Sequence, residues 1–205
     1  MNTIEKKPPP KTSPRKNIIK KVKNTYIDIE VYVNILSDVT THDKSVKGAH
    51  TKIKSKGALS GSYFYGFPSY NWEMNGSIKI ITKINNPFRM KGTIEIKTTY
   101  GPKAKPNMDS GYGRGTTEDD EKHGNTSLGF HEYCHRNDYI NYLNTKPLPT
   151  FTAHPGITEK KYIELCNGFV NNFNTYFENM EKYSERLTDE VGYKKSTYLV
   201  RGARP

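Results

Sequence analysis

Cysteine, tryptophan and long apolar runs are all scarce in this chain of 205 residues, which holds two Cys and one Trp. Two cysteines cannot build the framework of a disulfide-stapled mini-protein, and they leave the redox compartment open. No stretch approaches the roughly 18 apolar residues that a membrane-spanning helix needs, so a helical membrane-embedded protein is excluded. Residues Met1 to Pro10 contain no apolar h-region and do not read as a secretory signal. The expected location is therefore the cytoplasm, or outside the cell by a signal-independent secretion system. Hydrophobic residues make up only 33% of the chain and mean hydropathy is −0.84. The core must be modest, and 15 Tyr and 8 Phe supply much of its area. The length suits one domain, or one domain with a tail.

Acidic residues are nearly missing from the start of the chain. Residues 1–24 hold eight Lys or Arg against Glu5 alone, so +7 of the net +11 lies there. A Pro-rich, Lys-rich segment has little apolar surface to bury and is expected to be a flexible tail, with a folded domain over residues 25–205. Such a tail can act as a solubilising linker, as an arm for an anionic partner such as nucleic acid or cell wall, or as the stub of a longer delivered protein.

From Tyr26 the pattern turns to period two. Ile27, Ile29, Val31, Val33 and Ile35 alternate with polar positions, as in a half-buried strand. Residues 40–60 read as a loop, and Ser62 to Phe67 as a short aromatic strand. Trp72–Ile84 and Phe88–Tyr100 follow, and the turn chemistry of Asn85-Asn86-Pro87 suggests an antiparallel hairpin between them. Residues 101–127 form a long loop rich in Gly, Pro and Asp, which is often a functional feature. The remainder is helical. Asn125-Thr126-Ser127 offers N-caps, and one helix is expected from about Ser127 to Leu143, stopped before Pro147 and Pro149. Thr158 caps a second, whose face runs Tyr162, Cys166, Phe169, Phe173, Phe177, Met180, Ser184 and Leu187, with Gly192 closing it. Strands followed by helices make an α+β fold: a twisted antiparallel β-sheet, then two long antiparallel helices.

The informative string is Gly129-Phe130-His131-Glu132-Tyr133-Cys134-His135, which contains His-Glu-x-x-His on an expected helix. Spacing i, i+4 puts His131 and His135 on one face, where two imidazoles can share one Zn2+ ion. Glu132 lies beside them without binding the metal and can act as general base towards a water activated by zinc. With 6 His and 13 Glu in the chain, random placement yields such a match in roughly one chain in a hundred.

The layout resembles the small bacterial family of zinc-dependent proteases called the domain of unknown function 922 family. The matching pieces are Trp72 in a strand, His131-Glu132-x-x-His135, the helix 158–187, and the stretch from Tyr183 through Thr188 to Gly192. The resemblance covers roughly residues 26–205. It implies a zincin-like fold, a single zinc ion and peptide-bond hydrolysis. Two departures stand out: Cys134 replaces a Gly inside the motif, and the family's terminal His is absent. Aligning on Thr188 puts Glu190 where that His would fall.

Other zinc-protease patterns fit less well. The metzincin extension needs Gly at position 138 and His at 141, where this chain has Asp138 and Asn141. A third ligand of the gluzincin kind is a Glu on the next helix; Glu159 and Glu164 are available, and helical phase puts Glu159 on the apolar side. Asp189, with Tyr193 following, loosely resembles the aspartate and Tyr-Gly pattern of another clan. The expected order for the third ligand is Glu190, then Asp189, then Glu159. A simple helical hairpin would set His131 and His135 opposite residues 168–172, leaving Glu190 close to 30 Å away unless the 146–157 linker shifts the register. In that hairpin Cys134 and Cys166 would be neighbours able to bridge, although two buried thiols are the plainer expectation. His154 and Tyr193 are weaker candidates for ligand or oxyanion donor, and His123 with Asp119-Asp120-Glu121 is expected to solvate its loop.

The expected activity is therefore zinc-dependent hydrolysis of a peptide or peptidoglycan-like substrate, with His131, His135 and Glu190 on the metal and Glu132 catalytic, by a toxin-like delivered bacterial effector. The rival is a non-catalytic domain whose basic arm docks nucleic acid or an anionic cell-wall polymer. No zinc-knuckle spacing, helix-turn-helix signal or RNA-binding consensus supports that rival.

Overall fold

The computed structural model describes residues 7–8, 18–23, 25–57, 67–85 and 88–192. Within them lie strands β1 (Ile18–Lys23), β2 (Ile27–Ile35), β3 (Val39–Thr40), β4 (Ala49–Gly57), β5 (Tyr70–Asn75), β6 (Ile78–Ile84) and β7 (Phe88–Tyr100). They are followed by helices α1 (Glu118–Lys122), α2 (Leu128–Thr145) and α3 (Glu159–Ser184), and by a π-helical turn over Glu185–Asp189. The architecture is α+β, as the order of patterns implies.

β2 follows its alternation: Ile27, Ile29, Val31, Val33 and Ile35 are all buried. Its partners differ from expectation. β2 pairs in parallel with β7, where Ile94 and Ile96 continue the buried face, and β7 pairs antiparallel with β4. β3 extends the β2 side of β7 by two residues. β1 pairs antiparallel with β2, so residues 18–23 form a strand although the charge count assigns them to the flexible tail. Residues 9–17 and all of the expected strand Ser62 to Phe67 except Phe67 lie outside the described residues.

The hairpin also falls elsewhere. β5 and β6 pair antiparallel around Gly76-Ser77, with Gly76 at φ +62, a left-handed value that glycine adopts without steric cost. The turn thus lies inside the segment read as one strand, and β6 and β7 belong to separate sheets. β4 is a correction too, since residues 40–60 read as a loop. Its described inward side offers Ala49, Thr51 and Ile53 between polar neighbours, too little apolar signal to mark a strand.

Both helix starts carry the expected caps: Ser127 accepts from the Phe130 N–H at 3.1 Å, and Thr158 from the Lys161 N–H at 3.1 Å. The face of α3 is buried at Tyr162, Cys166, Phe169, Phe173, Tyr176, Met180 and Ser184, whereas Leu187 is exposed. Phe169 and Phe173 meet edge to face at 5.2 Å, and Phe151 from the linker packs on Phe169 at 5.8 Å. These residues share one core with β2, β6, β7 and the C-terminal half of α2.

The linker decides the helix register. Before α3 begins, residues 156–158 dock on β6: the Gly156 N–H donates to the Ile81 carbonyl, and the Ile81 N–H to the Ile157 carbonyl, both at 2.8 Å. α3 therefore starts beside the hairpin and reaches α2 only with its second half. His135 contacts Ser184, Asn141 contacts Tyr183 and the Lys146 carbonyl contacts Tyr176, an antiparallel pairing. The shift from the simple hairpin is roughly 16–21 residues, about 24–32 Å of helix. Cys134 and Cys166 are both buried and unbridged. Burial pushes their thiols up to about 12 and about 11, so neither is a ready thiolate.

Candidate metal centre

Helix α2 lacks an apolar stripe at its N-terminal half. The residues it buries there include His131, Glu132, His135 and Arg136. Buried polar groups need partners, and each of these has been given them by another element.

His131 Nδ1 donates to the Arg114 carbonyl at 3.0 Å, and a carbonyl can only accept. This places the proton on Nδ1 and leaves a lone pair on Nε2. His135 Nδ1 lies 2.8 Å from Ser184 Oγ, whose own proton goes to Asp138 Oδ2 at 3.2 Å. The Ser184 oxygen therefore accepts from Nδ1–H, and His135 too presents a bare Nε2.

The two Nε2 atoms are 3.2 Å apart, and Asp189 Oδ1 lies 3.2 Å from the first and 3.0 Å from the second. That carboxylate oxygen is buried and accepts no hydrogen bond of proper geometry. Three lone-pair atoms thus face one another in a triangle, which is repulsive unless positive charge sits among them. A tetrahedral ion with bonds of about 2.0–2.1 Å requires edges of about 3.3 Å between its ligands. The triangle fits such an ion closely, and these three residues can hold a metal.

The titration behaviour agrees. Burial raises the Asp189 carboxyl, but with a proton rather than a metal in the cluster the imidazoles outweigh it and hold it at about 2. Burial lowers His131, yet Asp189 and Glu132 more than offset that and keep it above the ordinary imidazole range. A metal ion placed among His131, His135 and Asp189 can meet all three donors together.

Asp189 comes to this position through the π-helical turn. The Glu190 N–H donates to the Glu185 carbonyl at 3.0 Å, an i to i+5 bond. The residue five places after Ser184 is thereby turned towards α2, alongside Thr188. Glu190, the expected third ligand, is exposed one residue beyond and is not in the metal-competent group. Glu159 is bound elsewhere, accepting from Tyr70 at 2.9 Å and pairing with Lys79 at 3.3 Å. Glu164 is exposed and pairs with Lys161. His154 is exposed in the linker, and Tyr193 lies outside the described residues.

Glu132 is 2% exposed and turns towards the sheet. Its Oε2 accepts from Thr51 Oγ at 2.8 Å; Thr51 meets Thr98 at 2.7 Å, and Thr98 accepts from Arg136 at 2.7 Å. Burial raises the Glu132 carboxyl above its usual range against the pull of both imidazoles. A carboxyl raised in this way holds a proton more readily than an exposed one.

The loop 101–127 forms a collar. Arg114 pairs in bidentate fashion with buried Asp120 at 2.8 and 2.9 Å, and Asp120 also accepts from the Gly115 N–H at 2.8 Å. The same Arg114 donates its N–H to the Thr188 carbonyl at 2.7 Å while its carbonyl receives His131. A Cβ on Gly113 would strike the Thr188 carbonyl and lie 3.0 Å from the His131 ring, at a φ of +64. The acidic run is therefore divided: Asp120 is structural, while Asp119 is exposed beside His123.

A cleft of about 790 Å³ opens onto Glu132, His135 and Asp189. Residues 45–52 form one wall; Glu178, Glu181 and Glu185 stand on the other. Thr51, Asp138, Ser184, Thr188 and Arg114 escape sequence reasoning because common polar residues carry no motif. Comparison with protein-family models, curated proteins and solved structures finds no match to this chain. No helix among the described residues is long and apolar enough to cross a membrane.

Proposed function

We propose that this protein is a zinc-dependent metallopeptidase, hydrolysing a peptide or related amide bond. The observation that carries the reading is the triangle of His131 Nε2, His135 Nε2 and Asp189 Oδ1 with Glu132 buried beside it. Two imidazoles and one carboxylate, with a fourth direction open to a cleft, are the donor set of catalytic rather than structural zinc. Zinc held there supplies Lewis acidity and lowers the pKa of a water to about 7. Glu132 takes the proton of the attacking water and returns it to the leaving amine. Thr51 keeps the Glu132 carboxylate in place during both transfers.

β4 supports an extended substrate. Among the described residues it pairs with β7 alone, and Ala49 to Lys52 line the cleft. A peptide can add to this strand by backbone hydrogen bonds and so lie across the metal. The resemblance to the domain of unknown function 922 family and the role of a delivered effector belong to the same proposal. The test is hydrolysis of an unstructured protein such as casein, followed by the appearance of new N-termini. The wild type with zinc should cleave, and Glu132→Gln should retain zinc and lose cleavage. Equal behaviour of the two would favour a binding domain instead.

A further inference from the structure

One carboxylate outside the metal triangle touches the supports of two of its corners. Asp138 Oδ2 accepts from Ser184 Oγ at 3.2 Å and from Thr188 Oγ1 at 2.7 Å. Ser184 in turn lies 2.8 Å from His135 Nδ1, and Thr188 immediately precedes Asp189. Ser184 and Thr188 are both fully buried, so neither hydroxyl has water as a substitute partner.

The two arms have different tasks. Along the first, Asp138 accepts the hydrogen bond of the Ser184 hydroxyl and leaves the serine oxygen able only to accept from His135. That selects the His135 tautomer with a free Nε2. Along the second, the Thr188 hydroxyl ties the π-helical turn to α2, which sets where Asp189 falls. Asp138 lies three residues after His135 on the same helix, so it rides on the face that carries the ligands. The Arg114 N–H on the Thr188 carbonyl holds the same turn from the other side.

We propose that Asp138 is a positioning residue that sets two of the three metal ligands, His135 through Ser184 and Asp189 through Thr188. The inference rests on the metal-site reading above and adds to it a single point from which ligand geometry is controlled. Partners behind the ligands of metal sites typically govern affinity by 10–100-fold.

The test is a zinc-affinity measurement by competition with a chromophoric chelator, using Zn2+ alone as the probe, on the full chain. Asp138→Ala should weaken zinc binding about 10–100-fold. Ser184→Ala and Thr188→Val should each give a part of that loss, and neither should add to it in the Asp138→Ala background. Asp138→Asn, which keeps an accepting oxygen, should recover much of the affinity. Melting of each variant in excess chelator separates this from a loss of fold, and the two single-arm variants stand in if Asp138→Ala does not fold. Wild-type zinc affinity in Asp138→Ala, or fully additive losses across the three sites, would overturn the proposal alone. A wild type that binds no zinc would overturn the metal-site reading and this inference with it.

Discussion

α2 and α3 pack against each other, yet they bury opposite kinds of surface. α3 buries Tyr162, Phe169, Phe173, Tyr176 and Met180 and contributes to one continuous apolar core. The first half of α2 buries His131, Glu132, His135 and Arg136, each hydrogen-bonded to a partner on a loop, a strand or the last residue of α3. Apolar burial is non-directional and tolerates loose specification. Polar burial is directional, and each donor must meet its acceptor. The difference shows where this chain invests in stability and where it invests in geometry. α3 holds the molecule together, whereas α2 spends its buried positions on a site.

Substitutions on the two helices should therefore separate catalysis from folding. The largest expected effect is on α2: Glu132→Gln should lower hydrolysis by roughly 10²–10⁴-fold, with metal content and thermal midpoint held, as measured by new N-termini and melting. On α3, Phe173→Ala should cost about 3–5 kcal/mol of stability in a urea titration while the folded fraction still binds zinc. A loss of zinc in step with a small loss of stability would erase the contrast. Thr51→Val keeps the shape but removes the donor to Glu132, and should slow hydrolysis about tenfold, the worth of roughly 1.4 kcal/mol, without changing zinc affinity.

The collar offers a pH test. Arg114 and the Gly115 N–H outweigh burial and hold the Asp120 carboxyl below its usual range. Its folded value is thus lower than its unfolded one, so its contribution is complete above pH about 4 and is lost as pH falls through the folded value. Asp120→Asn should be less stable at neutral pH and show a shallower acid limb in denaturation from pH 5 to 2. An unchanged acid limb would remove Asp120 from the account. The smallest effect is expected at Leu187, which is 43% exposed on the π-helical turn. Leu187→Ser should stay within about 0.5 kcal/mol.

What could be read from sequence follows the same division. The caps at Ser127 and Thr158, the period of α3 and the alternation of β2 are local signals, and the structure bears them out. The two histidines at i, i+4 are local as well, and they do converge. β4 was hidden because its inward Thr51 serves Glu132 rather than the core. The parallel pairing of β2 with β7 joins strands more than fifty residues apart and has no local trace. Asn85-Asn86-Pro87 carries turn chemistry but connects two sheets, while the true hairpin turns on Gly76. At the third corner the structure brings the second-ranked carboxylate, Asp189, to the histidines in place of Glu190. α-Helical spacing and a loose alignment say nothing of a π-helical turn, which brings Asp189 rather than Glu190 to the histidines.

That one-residue distinction gives the most direct test. Zinc content of the purified protein should be measured by elemental analysis for the wild type, Asp189→Ala and Glu190→Ala. The geometry predicts about one zinc per chain in the wild type, its loss in Asp189→Ala, and its retention in Glu190→Ala. Zinc retained in Asp189→Ala and lost in Glu190→Ala, or absent from a folded wild type supplied with zinc, would contradict the centre described.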